Sequence, residues 1–133
     1  NANQGCSIGF PDGWPKCQGD VLPSLDNSGI LVQMVHRIGA GVVGLALIFG
    51  VMKFKENARE QGVHDTYSKC LDTAGAFWLA NVFVGGLYIV YAKMGDFPES
   101  LSLLHLVLGV ASFLSASIGL MLLRLSEEGA EDE

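Results

Sequence analysis

Charge is scarce in this chain. Only 17% of its 133 residues are Asp, Glu, Lys or Arg, against about a quarter in a typical soluble domain. The shortage is concentrated in three stretches, 29–52, 73–92 and 101–123, whose only ionisable side chains besides two tyrosines are His36, Arg37 and His105. Positive charge is scarcer than negative: 8 Lys and Arg against 14 Asp and Glu leave a net charge of −6, which repels phosphate and excludes a nucleic-acid binder. Three cysteines are too few for a disulfide-packed miniprotein, and half the residues being apolar excludes a disordered chain. Each of these apolar stretches is about 20 residues long, enough to cross a hydrocarbon core of roughly 30 Å as a helix. The expected fold class is an all-α integral membrane protein with three transmembrane helices.

Three parts follow: an outer loop over 1–28, a helical transmembrane part over 29–124, and an acidic tail over 125–133. Lys53, Lys55, Arg59 and Lys69 fall between the first two spans, and Arg124 follows the third. Positive charge marks the cytoplasmic side, so 53–72 and the C-terminus are expected inside, and 1–28 and 93–100 outside. The membrane is then a plasma or inner membrane. The tail (Glu127, Glu128, Glu131, Asp132, Glu133) reads as a solvated, mobile end. Three spans with the C-terminus inside place the N-terminus outside, yet the chain opens without Met or an apolar run. A further helix ahead of Asn1 is expected, export by another route being the alternative.

Cys6 and Cys17 both lie in the outer segment, where a disulfide persists, and Cys70 on the reducing side. A bridge would close the loop Phe10-Pro11-Asp12-Gly13-Trp14-Pro15 and restrict it; the other reading is two free thiols.

Ionisable residues within a span are costly and face a bundle interior or a site. His36 is about 10 Å into the first span and His105 about 6 Å into the third, at 1.5 Å per residue. Both helices run in the same direction, so the imidazoles are expected at one level in the outer leaflet, able to coordinate the iron of a macrocycle from opposite faces. Gly39, Ala40, Val43 and Gly44 follow His36 on its face; Leu108, Gly109, Ser112, Ala116 and Gly119 follow His105. Small residues there leave room for a flat ring, though helix packing uses the same residues. Zinc would need further ligands at that level. Copper would bring a Cys or Met near the histidines, and Met34 points about 160° away from His36. Arg37 has two readings: snorkelling to head groups, or pairing with a carboxylate such as a haem propionate. His64 reads as a surface histidine, and Asn81 as an interhelical hydrogen-bonding group. Tyr88, Tyr91 and Trp78 read as interfacial belt residues, with Tyr88 a second candidate for the pocket wall.

The stretches Cys6-Ser-Ile-Gly-Phe-Pro-Asp-Gly-Trp-Pro-Lys-Cys17, Val32-Gln-Met-Val-His-Arg-Ile-Gly-Ala40 and Leu104-His-Leu-Val-Leu-Gly109 come in an order that resembles the haem A synthase family. Those membrane enzymes oxidise a methyl group of haem O to the formyl of haem A for terminal oxidases, and consist of two four-helix halves, each with a His pair. The chain resembles helices two to four of one half. The resemblance implies a four-helix haem-binding bundle with a first helix ahead of this chain. It implies His36 and His105 as iron ligands, with Arg37 and Gly109 beside the cofactor. It also implies haem b as cofactor, or haem O and haem A as substrate and product, and an oxidoreductase if the chain is active. Gly13 divides the family's Asp-Trp pair. Gln33 stands where the substrate half carries a glutamate; an amide hydrogen-bonds but cannot shuttle a proton, so Gln33 resembles the half that holds haem b. Expected partners are membrane lipid, haem, and a second copy, a second half-unit or a respiratory complex. Two alternatives remain: a non-catalytic structural or assembly subunit of such a complex, and a haem-free helical linker whose histidines bond to backbone or to each other.

Overall fold

A computed structural model describes residues 5–61, 65–92 and 96–131. It contains three helices: α1 (Ser28–Gln61), α2 (Asp65–Tyr91) and α3 (Glu99–Glu131). Among the described residues no strand is present, only an isolated bridge between Cys17 and Asp20. All three helices are long and apolar enough to cross a membrane, over Ser28–Glu56, Thr66–Tyr91 and Glu99–Leu125. Their large apolar side chains are mostly turned outward: Val35, Ile38 and Val42 on α1, and Leu103, Leu106 and Val107 on α3, are all exposed. That is the surface a hydrocarbon solvent requires and water would penalise.

The starts of α1 and α3 follow from local chemistry. Asn27 caps α1: its side-chain oxygen accepts from the Gly29 amide at 2.8 Å, and its carbonyl accepts the first helical bond from Leu31 at 2.9 Å. Pro98 precedes α3 and its carbonyl accepts from Leu101 and Ser102. Glu99 adds a negative charge to the positive end of the helix dipole.

The helices outrun the apolar stretches. The polar segment expected as a loop over 53–72 is helical through Gln61 and again from Asp65, because Lys53, Lys55, Glu56, Ala58, Arg59 and Glu60 are strong helix formers. The acidic tail over 125–133 is helical as far as Glu131, and Asp132 and Glu133 lie outside the described residues. His64 and Lys93 lie outside the described residues.

The chain forms two compact units, to each of which every helix contributes a segment. The first comprises Asn1–Val42 and Asn81–Leu106. Its core is the Cys6–Cys17 disulfide, fully buried, with Met34 of α1 and Ile89 of α2; Trp14, Ile30 and Tyr88 pack against it. The bridge expected from the cysteine positions is therefore present. Just beyond the closed loop the chain turns back at Gln18 and Gly19, whose φ values of 55° and 85° suit a tight hairpin turn. Cys17 and Asp20 exchange backbone hydrogen bonds across that turn, at 2.8 and 3.1 Å. Gly13 sits so close to the Cys6 and Gly9 carbonyls that a Cβ would collide with both. The residue dividing the Asp-Trp pair is thus a packing requirement of this loop.

The second unit comprises Val43–Ala80 and Val107–Glu133. Trp78 of α2 lies directly on Gly44 of α1, leaving no space for a Cβ there. A Cβ added to Gly119 of α3 would lie 3.2 Å from side-chain atoms of Cys70 and Leu71 of α2. Ser112 is buried and donates to the Ala74 carbonyl at 2.8 Å, while Lys55 and Asp72 form an ion pair at 2.5 Å.

Candidate functional site

Within the first unit, α1 supplies His36 and α3 supplies His105. Their ring centroids are 6.1 Å apart, with the ring planes inclined at 69°. Two histidines 69 residues apart in the chain thus meet in space, as their matched depths led us to expect.

The two imidazoles differ in surroundings. His105 is half-buried, and its Nδ1 lies 3.0 Å from the backbone carbonyl of Asn81 on α2. A carbonyl only accepts, so Nδ1 carries the proton and donates it. In the neutral ring this leaves Nε2 as the nitrogen with a free lone pair. A second-sphere carbonyl on one ring nitrogen is how proteins orient a metal-ligating histidine and raise its basicity. His36 is exposed on α1. Three residues further on, Gly39 has no atom within 4 Å of where a Cβ would sit. An imidazole on the outer surface of a membrane helix is costly unless something polar or metallic covers it.

A bare ion such as zinc takes three or four protein ligands. Among the described residues no group of three or more His, Cys, Asp or Glu comes together to hold a metal. A macrocycle that brings its own four nitrogens needs only two axial ligands. The His36–His105 separation equals that of the Tyr88–Phe97 ring contact.

Arg37, next to His36, reaches the disulfide-bonded loop: it donates to the carbonyls of Gly13 at 2.8 Å, Lys16 at 2.9 Å and Pro15 at 3.2 Å. These acceptors were in neither sequence reading of Arg37, since backbone carbonyls carry no residue-type signal. Gly109 lies one turn beyond His105 on α3, in the second unit. Gln33 is 5% exposed and its Oε1 is buried without a hydrogen-bond partner, as is Oδ1 of Asn81. Asn81 was expected to bond through its side chain; its main-chain carbonyl is what holds His105. Tyr88 packs on the disulfide core and 6.1 Å from the Phe97 ring, whereas Tyr91 is exposed. Met34 is buried in the disulfide core.

No known protein family, curated protein or solved structure matches the chain.

Proposed function

We propose that this is a haem-binding integral membrane protein in which His36 and His105 are the axial ligands of the iron. The observation that carries the proposal is the pairing of two imidazoles at 6.1 Å, one with its Nδ1–H committed to a backbone carbonyl. The positive charges at 53–69 and Arg124 support an orientation with the outer loop on the non-cytoplasmic side, in a plasma or inner membrane.

Bound haem would supply a one-electron iron couple, and ligation from both sides leaves no open position, which favours electron transfer over oxygen chemistry. The chain's own residues then have distinct tasks. Asn81 holds the proton of His105 at Nδ1 and keeps Nε2 free. Gly39 leaves space beside His36 for a flat ring. Arg37 ties the start of α1 to the disulfide-bonded loop and retains further N–H donors for a carboxylate. The Gln33 amide is neither an acid nor a base near neutral pH, so the reading favours haem b and electron handling over conversion of haem O to haem A. A haem A synthase half-unit, completed by a second copy, a second half-unit or a terminal oxidase, is the functional setting that the motif resemblance supports.

The test is optical. The purified protein in lipid nanodiscs, loaded with haemin, is expected to give a low-spin Soret and α-band spectrum. His36→Ala or His105→Ala should abolish it or convert it to a high-spin form, and a pyridine haemochrome names the haem retained on purification. No Soret band, or a spectrum unchanged in both variants, overturns the proposal and leaves a structural or assembly subunit.

A further inference from the structure

In α2 the Asn81 carbonyl is the ordinary acceptor for the amide four residues on, that of Gly85. The same carbonyl also receives the Nδ1–H of His105 at 3.0 Å. A Cβ on Gly85 would lie 2.8 Å from Cε1, 3.0 Å from Nδ1 and 3.7 Å from Nε2 of His105. Its three nearest neighbours would all be atoms of that one imidazole. The ring therefore rests on the α2 backbone at the position that has no side chain. Of the other glycines on the same helix, Gly75 has nothing within 4 Å of its notional Cβ and Gly86 faces the Trp14 ring, so of the three only Gly85 faces His105.

We propose that Gly85 is a positioning residue for His105. Without a side chain at 85, the imidazole reaches a carbonyl already engaged in the helix ladder, and that bond selects the Nδ1–H tautomer. A methyl group at 85 pushes the ring off the carbonyl, so ring placement and tautomer are lost together. The consequence for iron ligation rests on the haem reading; the positioning of the ring does not.

The experiment is a double-mutant cycle on the haem-free protein in nanodiscs, combining Gly85→Ala with His105→Ala and using Gly75→Ala as control. With His105 present, Gly85→Ala is expected to lower the melting temperature by about 2–6 °C. In the His105→Ala background it should be neutral or raise it, as Gly75→Ala should, because alanine is the better helix former. A penalty of equal size in both backgrounds overturns the proposal. Nitrogen-15 NMR of histidine-labelled protein, at a pH where the ring is neutral, gives the second readout. Native His105 should carry its proton on Nδ1, and Gly85→Ala should shift it wholly or partly to Nε2. An unchanged tautomer overturns the proposal. If the native protein takes up no haem, the functional reading falls, while the cycle and the tautomer still decide the role of Gly85.

Discussion

Arg37 donates through Nη2 to the carbonyl of Gly13 at 2.8 Å, tying the residue beside His36 to a loop 24 positions earlier in the chain. Together with the bonds to Lys16 and Pro15, one guanidinium gathers three carbonyls from the segment closed by the disulfide. Hydrogen bonds involving a charged group contribute about 1.5–3 kcal/mol each at most, and partial solvent access lowers the net. Arg37→Ala is expected to destabilise the protein by about 1–3 kcal/mol. Arg37→Lys should recover less than half of this, because an ammonium cannot present the guanidinium's planar fork. Thermal unfolding followed by tryptophan fluorescence checks both; equal stability of Arg37→Lys and the native protein would contradict the clamp.

The disulfide joins positions 11 apart and forms the centre of the first unit's core. Replacing Cys6 and Cys17 together by Ser should cost about 2–4 kcal/mol and speed amide exchange over 6–20, with the helical circular dichroism retained. Cys6 and Cys17 are bonded to each other and carry no thiol, so thiol reagents should label the native protein only at Cys70. Labelling at Cys6 or Cys17 without reductant would contradict the bridge.

Two glycines of α1 should respond oppositely to the same added methyl. At Gly44 it would collide with the Trp78 ring, and overpacking of this kind costs about 1–3 kcal/mol. At Gly39 nothing lies within 4 Å, so Gly39→Ala should leave the melting temperature unchanged or slightly raised. Gly39→Leu extends this to function: stability of the haem-free protein should be kept, while haem retention falls at least several-fold. Full haem retention in Gly39→Leu would remove this face of α1 from the proposed site.

The Lys55–Asp72 pair is short but about half exposed on both sides, so it should contribute no more than about 1 kcal/mol. Asp72→Asn is expected to lower stability by less than that, and 1 M salt should erase the difference. A salt-independent loss would mean that the pair is more enclosed than its exposure indicates.

Much of this was legible in the sequence because it depends on one-dimensional quantities. Length and hydropathy determined the three spans, since hydrocarbon thickness sets how many apolar residues a helix needs. Counting residues from the start of each span was enough to expect His36 and His105 at one level. The placing of two cysteines in one short segment was enough to expect their bridge. The helical continuation through Gln61 and Glu131 was not legible, because hydropathy reports where a span stops and not where a helix does.

The tertiary structure alone decided what each side chain meets. Which carbonyls Arg37 binds, which nitrogen of His105 keeps the proton, and why Gly13, Gly44 and Gly85 have no side chain all depend on how neighbouring segments are turned about their axes. Composition and helical period define a face of a helix but not the partner that face meets. That partner is selected by close packing and by the demand that polar groups at membrane depth find an acceptor, both of which arise only once the segments are together.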